Sequence, residues 1–200
     1  MHSIWNTSIR FTLVTAILLG LGYPLLVTGI ARVLFPHQAE GSLIRLNDGT
    51  IIGSQLLAQS FTSDRYFHPR PSAANYSDSS DYASNSTTSP SGGSNLAQSS
   101  QTLITRIQGD VDKLAAQNPG KPVPIDMVTT SASGLDPDIT PDAAFFQSVR
   151  VAKTRNLTNE AVRALIEQHI TGRQLGVLGE PRVNVLELNI DLDHLAPSAK

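Results

Sequence analysis

The stretch 136–142 reads DPDITPD and places oxygen-bearing side chains at alternate positions, the spacing of a calcium-binding loop. Such a loop also needs a glycine at its sixth position and a glutamate at its twelfth, where this chain has Pro141 and Gln147. A helix N-terminus explains the same residues: Thr140 caps it, Pro141 occupies its first position and Asp142 lies near its positive end. We therefore predict a helix start here and no metal site.

A second group with the chemistry of metal ligands lies near the C-terminus, at Asp191, Asp193 and His194. Acidic and histidine side chains are also common where a strand ends in solvent. The sequence favours that interpretation, so no metal is predicted there either.

Cationic and aromatic side chains gather at 65–70, where the sequence is RYFHPR. Arg65, His68 and Arg70 could together hold an anion or a partner's carboxylate. The alternative is a structured turn that is rigidified by Pro69 and Pro71. Both interpretations remain open at the level of sequence.

The turn Ser91-Gly92-Gly93-Ser94-Asn95 offers backbone N–H groups to a phosphate, and a helix predicted from Leu96 would add its positive end. It superficially resembles the signature loop of ABC-type ATPases. Two glycines before a helix are more often a loop and a cap. A second loop, Ser131–Asp136, is the other candidate for nucleotide contact.

Several familiar catalytic motifs are absent from the sequence. It contains no G-x-x-x-x-G-K-[ST], G-x-G-x-x-G, G-x-S-x-G or H-E-x-x-H pattern and no cysteine. Its 15 Lys and Arg against 17 Asp and Glu provide no basic stripe for nucleic acid. A self-sufficient ATPase or hydrolase of a common type and a nucleic-acid partner are therefore not expected.

An uncharged apolar run extends from Phe11 to Ala31, between Arg10 and Arg32. As a helix it would span roughly 31 Å, close to the hydrocarbon core of a bilayer. It is longer than the apolar part of a signal peptide, and no A-x-A cleavage site follows. We predict a short tail at 1–10, a transmembrane helix at 11–34 and a soluble domain at 35–200. The residues expected to pack against other membrane helices are Thr12, Thr15, Ala16, Gly20, Gly22, Pro24 and Gly29.

The orientation of this helix is nearly balanced in the sequence. Arg10 and the α-amino group lie on one side, and Arg32 and Arg45 lie on the other. The short N-terminal tail favours a cytoplasmic N-terminus and an exported domain.

The rest of the chain mixes helices and strands without a βαβ repeat, which predicts a soluble mixed α/β (α+β) domain. Helices are predicted at 54–59, at 96–118, from Thr140 and from Thr158, and a polar loop is predicted around 74–95. The predicted buried faces are Leu103, Ile107, Val111 and Leu114 in the 96–118 helix, Ala144, Phe145, Val149 and Ala152 in the next, and Ala161, Val162, Leu165, Ile166 and His169 in the last. Extended segments are predicted at 43–52 with a turn at Asn47-Asp48-Gly49, at 123–129, and at 186–192, where apolar and polar residues alternate.

Nine blocks, in order along nearly the whole chain, resemble one family. They are YPLL at 23–26, FP at 35–36, QAEGSLI at 38–44, GS at 53–54, YFHPRPSA at 66–73, SGGSNL at 91–96, VTTSASGLDPDITPDAA at 128–144, RVAKTRNL at 150–157 and GEPRVNVLELNIDLD at 179–193. On these blocks the chain is similar to the C subunits (KdpC) of bacterial Kdp-type potassium-transporting P-type ATPases. Residues 77–90 diverge, and Ser148-Val149 stand where a proline is common.

The resemblance implies a non-catalytic accessory subunit of an ATP-driven, high-affinity potassium importer in the bacterial inner membrane, with a periplasmic domain. Its implied partners are a channel-like potassium-binding subunit, a P-type ATP-hydrolysing subunit, a small single-helix subunit and membrane lipid. The family is described as a catalytic chaperone that raises ATP affinity. No cofactor is expected to bind firmly, although ATP is possible through the complex.

The alternative function is a nucleotide-binding subunit that raises ATP affinity by direct contact. For docking or nucleotide contact, the candidate residues in the resembling blocks and beside them are Arg65, His68, Arg70, Ser91, Gly92, Gly93, Ser94, Asn95, Ser131, Ser133, Gly134, Asp136, Gln147, Arg150 and Lys153.

Overall fold

A computed structural model describes residues 2–46, 49–74 and 91–195. The chain divides into two compact units, Met1–Leu43 and Ile44–Lys200. Asn47 and Asp48 of the predicted turn, and most of the predicted polar loop around 74–95, lie outside the described residues.

The first unit is dominated by one long helical rod. It consists of α1 (His2–Ile17), a π-helical turn (Leu18–Gly22) and α2 (Tyr23–Leu34), and the short α3 (Pro36–Ala39) follows. Within this rod, Ser3–Leu34 is apolar enough to cross a membrane, with a mean hydropathy of 2.0 and none of its most apolar window buried in the chain. The rod begins earlier than predicted, because most of the expected tail at 1–10 is already part of α1.

The rod is irregular just before Pro24, where the π-helical turn Leu18–Gly22 lies. Proline lacks an N–H and its ring crowds the carbonyl four residues back, here that of Gly20. The backbone responds by widening, so that the N–H of Tyr23 bonds to the carbonyl of Leu18, five residues earlier. Pro24 itself then falls in the first turn of α2, where a missing N–H costs little.

The second unit contains two small sheets. β1 (Leu43–Arg45) pairs with β2 (Ile51–Ser54), as the turn motif between them predicted. The other sheet has the order β3 (Asp138–Ile139), β5 (Arg182–Asn184), β4 (Ile170–Thr171), and β5 is antiparallel to both neighbours.

Among the described residues of the second unit, helices supply most of the regular secondary structure: α4 (Gln101–Gln117), α5 (Pro141–Arg155), α6 (Asn159–His169) and α7 (Val185–Leu195). The Thr140 and Thr158 hydroxyls cap α5 and α6 by accepting bonds of 3.2 Å from the N–H groups of Ala143 and Ala161. Both helix starts therefore confirm the prediction. The unit is a mixed α/β domain, which confirms the predicted fold class.

The core lies where α5, α6, α7 and β5 meet. Its most completely buried apolar side chains are Phe67, Val151, Val162, Ile166, Val183, Leu186, Leu188 and Leu192. The predicted stripe of α4 is half-buried, and Leu114 packs against this core. Val149 of α5, predicted to be buried, is instead 39% exposed, and Phe146 and Val151 take the inward positions.

Three shorter predictions are wrong in detail. The predicted helix at 54–59 is a turn at 55–57 that follows β2: the Ser54 Oγ and carbonyl accept from the N–H groups of Leu56 and Leu57, and the Ala58 N–H then donates to the Leu135 carbonyl. The predicted strand at 123–129 contains a 3₁₀ turn, Ile125–Met127. The predicted helix at 96–118 begins only at Gln101, five residues late.

The clearest error is the strand predicted at 186–192, which is part of helix α7. Its buried residues, Val185, Leu186, Leu188, Asn189 and Leu192, follow helical spacing. The polar Asn189 occupies one of these inward positions and made the apolar pattern look alternating. Its burial requires a tertiary partner, which the sequence pattern does not reveal.

Candidate functional site

The segment 64–72, called the clamped segment below, crosses the core without forming a strand. At its centre Phe67 is fully buried, and its backbone is paired with a side chain. Asn189 Oδ1 accepts from the Phe67 N–H at 2.8 Å, and Asn189 Nδ2 donates to the Phe67 carbonyl at 2.9 Å. The Asn189 amide thus satisfies both backbone groups as a neighbouring strand would.

Gln147 and Arg150, on α5, hold the flanking residues. Gln147 Oε1 accepts from the His68 N–H at 2.8 Å and its Nε2 donates to the His68 carbonyl at 3.1 Å. Arg150 donates to the carbonyls of Asp64 and Tyr66 and to Gln147 Oε1 at 2.9 Å. Two predicted site residues therefore position the backbone of a third, His68.

Arg155, the last residue of α5, completes the clamp with a fully buried side chain. It donates to the Arg65 carbonyl at 2.7 Å and to Asp193 Oδ1 at 2.6 Å, and it lies over the Tyr66 ring at 4.7 Å. The Tyr66 hydroxyl donates to the other oxygen of Asp193 at 3.0 Å. Both carboxylate oxygens of Asp193 thus accept a hydrogen bond, one from the Arg155 guanidinium and the other from the Tyr66 hydroxyl.

The electrostatics of the clamp follow from its burial. Burial lowers the pKa of His68, and the nearby Arg150 charge lowers it further. Burial also lowers the pKa of Arg150, against the opposing effect of Asp64. Burial, followed by the Asp193 charge, raises the pKa of Tyr66. Each shift favours the neutral form, and the Arg150 guanidinium is the principal cation facing His68.

The C-terminal part of the clamped segment packs on the loop 131–136. Arg70 forms an ion pair with Asp136 at 3.0 Å, and the Pro71 carbonyl accepts from the Ser131 N–H at 3.2 Å. Ser72 donates to the Gly134 carbonyl at 2.8 Å. The loop is therefore held by the same segment that α5 and α7 clamp.

Residues 91–93 of the predicted phosphate turn contact that loop as well. The N–H of Gly92 and the hydroxyl of Ser91 both donate to the Ser133 carbonyl, at 2.8 and 2.9 Å. A Cβ on Gly93 would lie 3.1 Å from the Ala132 carbonyl oxygen, so this backbone is in close contact with its neighbour. One N–H that a phosphate would need is already used, and the helix start lies at Gln101.

The remaining candidates divide clearly. The structure brings together Arg65, His68, Arg70, Gln147 and Arg150 at the clamped segment, and Ser91, Gly92, Gly93, Ser131, Ser133, Gly134 and Asp136 at the loop beside it. Asn95 and Lys153 are solvent-exposed, and Ser94 is half-buried. Nothing in these contacts assigns the last three to the clamp.

The acidic groups considered as metal ligands have other neighbours. Asp138 pairs with Arg182 at 3.0 Å and Asp191 with His169 at 2.9 Å, in addition to the pairs of Asp136 and Asp193 above. Burial raises the pKa of Asp138, against the opposing effect of Arg182. Within the described residues, no three His, Asp or Glu side chains gather as metal ligands would.

Sequence reasoning missed Asn189 and Arg155, and it missed an open cleft of about 470 Å³ at the start of α5. The cleft is lined by residues 121–126 and by Phe145, Phe146 and Arg163, among others. Arg163 lies over the Phe145 ring at 4.3 Å. The sequence does show that Arg155 is a basic residue at the end of a predicted helix. It does not show that Arg155 is buried, because that burial depends on contacts with residues distant in the sequence.

The family model described as "KdpC: K+-transporting ATPase, c chain" matches residues 5–194. A potassium-transporting ATPase KdpC subunit of Methylobacterium nodulans is 54% identical over 185 residues, which cover 90% of this chain and 91% of the relative. The KdpC subunits of Bradyrhizobium diazoefficiens and Koribacter versatilis are 54% and 51% identical, and the alignments cover 94% and 96% of this chain and 96% and 94% of the relatives. The long apolar helix agrees with association with a membrane. The chain thus belongs to the KdpC family, the c chain of K+-transporting ATPases.

Proposed function

We propose that this chain is a non-catalytic accessory subunit of an ATP-driven potassium importer, anchored in the bacterial inner membrane and needed for assembly of the complex. The observation that carries the proposal is the helical rod, whose apolar surface is unburied within the chain. Such a surface requires lipid or other membrane helices around it. The relatives named above are subunits of potassium-transporting ATPases.

The small residues of the rod support packing against other subunits. Thr12, Ala16 and Gly20 recur every four residues, which places them near one another along a helix. Added Cβ atoms at Gly20 and Gly29 would meet nothing within 4 Å. A larger side chain at either glycine therefore disturbs no contact among the described residues, and we expect it to interfere with a neighbouring helix instead.

The contacts of the clamped segment support a structural role for the charged residues. Arg70, Arg150 and Arg155 bind carboxylates, carbonyls or amide oxygens of this chain. A domain built in this way presents a rigid surface for docking. We propose that it lies in the periplasm and contacts the channel-like potassium-binding subunit, while the rod packs beside the hydrolysing and single-helix subunits.

The test is co-purification of the complex from cells that express all its subunits. We expect Gly20→Leu and Gly29→Leu to reduce recovery of the other subunits with this chain, and to reduce potassium uptake. Leu13→Ile, which conserves volume on the same rod, serves as the control. Normal assembly and transport by both glycine variants would contradict the packing role of the rod.

Direct nucleotide contact is the rival to be excluded in the same preparation. We propose that any effect on ATP affinity is transmitted through packing, since the Gly92 N–H is already bonded within the domain. A photoreactive ATP analogue should label the hydrolysing subunit of the purified complex. Labelling of this chain at 91–95 or 131–136 would favour the alternative function, in which this chain binds the nucleotide directly.

A further inference from the structure

An apolar loop tip lies between β4 and β5. In residues 174–178, called the apolar tip below, Leu175, Val177 and Leu178 are 90%, 73% and 56% exposed. Contiguous exposed apolar side chains of this kind are unusual on a soluble surface unless they meet a partner. Leu175 is the most exposed large hydrophobic residue among the described residues.

The tip is a defined structure that presents these side chains. Gln174 and Leu178 exchange two backbone hydrogen bonds, of 2.8 and 2.9 Å, in an antiparallel bridge. Leu175 has φ +53°, a left-handed conformation that costs a bulky residue free energy and that asparagine adopts more easily. A strained leucine that points into solvent does not stabilise the isolated domain, so its benefit must come from a contact outside it.

The chemistry of the tip favours a protein partner over a lipid surface. Its flanking charges, Arg173 and Glu180, pair with each other at 2.7 Å, so the tip has no net charge with which to attract anionic lipid. It also has no Trp or Tyr, the residues typical of the membrane interface.

The size of the tip argues against a second copy of this chain as its partner. Standard interfaces bury about 800 Å² on each partner, more than three such side chains can supply. The tip by itself is therefore too small to hold two copies of this chain together, whereas in a complex that already assembles through other contacts it can form one part of a larger interface.

We propose that the apolar tip inserts into an uncharged, apolar pocket on another subunit of the potassium-transporting complex. This inference rests on the proposed function, because it requires that the chain assembles with other subunits. The tip then serves as the apolar anchor of the docking face of the domain, and the larger surface around it excludes water.

The first experiment uses Leu175→Asn and Val177→Ser in the assembled complex. Asparagine suits the left-handed backbone, so Leu175→Asn should leave the unfolding midpoint of the full-length chain unchanged or raise it. Loss of a buried leucine contact should speed dissociation of this chain from the complex about tenfold or more. Leu56→Ser, at another apolar position that is 60% exposed, is the matched control and should have a smaller effect.

The second experiment identifies the partner. The sequence has no cysteine, so Leu175→Cys provides a single thiol for a benzophenone crosslinker. We expect a crosslink to another subunit of the complex. Crosslinks only to a second copy, only to lipid, or none would overturn the proposal, as would unchanged dissociation of both tip variants. The proposed function has failed only if the unsubstituted chain does not co-purify at all, so the two failures are distinguishable.

Discussion

Asn189 and Gln147 illustrate how single side-chain amides position the clamped segment of this domain. Each holds both the N–H and the carbonyl of one residue in the clamped segment, Phe67 or His68. Because no strand among the described residues lies beside that segment, these side chains replace the ladder bonds that a sheet would provide. The positions of Tyr66 and Arg70 follow from this arrangement.

Replacing Asn189 by leucine should be strongly destabilising. The leucine has a similar volume but leaves the Phe67 N–H and carbonyl buried and unpaired, which should lower the free energy of unfolding by about 2–4 kcal/mol. Urea unfolding of the full-length chain in detergent, followed by circular dichroism, measures the change. Gln108→Leu is the control, since Gln108 makes one exposed bond to Asp112 within α4 and its loss should cost about 0.5 kcal/mol or less. Equal effects of the two substitutions would contradict the role assigned to Asn189.

His68 should make the stability of the domain depend on pH. Its pKa is lowered in the folded state from an ordinary value of 6.5, so below that value the unfolded chain binds the proton more readily. The contribution of His68 to the free energy of unfolding is complete above pH 6.5, and it is lost as the pH falls through 6.5 towards the folded pKa. We expect the decrease in stability between about pH 7 and 5 to be smaller in His68→Gln than in the unsubstituted chain. His194→Gln, at an exposed position, should retain the full decrease, and parallel profiles for His68→Gln and the unsubstituted chain would rule out this assignment.

At the scale of elements, the domain depends on three irregular segments that pack against one another. The clamped segment lies on α5 and α7, the loop 131–136 lies on it, and residues 91–93 lie on the loop. Gly134 lies where all three segments meet, since an added Cβ would also come within 3.2 Å of Ser72 Oγ. Its φ is +70°, and a Cβ there would lie 2.5 Å from the Gly92 carbonyl oxygen and 2.8 Å from Ala74.

Gly134→Ala should therefore separate the loop from residues 91–93. Gly120→Ala is the matched control, because Gly120 has φ +82° but nothing within 4 Å of its added Cβ. Both substitutions impose the cost of a left-handed alanine, and only Gly134→Ala adds overpacking, which should cost a further 1–3 kcal/mol or so in unfolding free energy. Urea unfolding measures the difference. Equal losses of unfolding free energy in the two variants would mean that the contacts around Gly134 rearrange without cost.

At the scale of the whole molecule, the side of the membrane on which the domain lies decides how it can act. A periplasmic domain cannot touch cytoplasmic ATP, so its influence on hydrolysis would have to pass through the membrane subunits. The charges flanking the rod leave this orientation nearly balanced.

Labelling of introduced thiols should resolve the orientation. Ser3→Cys lies at the start of the rod and Lys113→Cys lies on the exposed face of α4, and the sequence has no cysteine of its own. In spheroplasts, a membrane-impermeant maleimide should label Lys113→Cys and leave Ser3→Cys unlabelled until the membrane is permeabilised. The reverse pattern would place the domain in the cytoplasm and revive direct nucleotide contact.

Several features of this protein follow from its composition and from residues that are neighbours along the chain. The apolar run predicted the rod, the Thr-Pro and Thr-Asn starts predicted α5 and α6, and the nine ordered blocks predicted the family. These features could be read because capping and hydrophobic length are local properties of the chain.

The secondary structure of 186–192 and the role of the charged residues depend instead on contacts between residues that are far apart in the sequence. Asn189 is buried in a helix because Phe67, distant in sequence, presents an N–H and a carbonyl that need partners. Arg155 and Asp193 meet for the same reason, across two helices and the clamped segment. A buried polar group requires a partner, and the fold supplies it from residues that no local pattern connects.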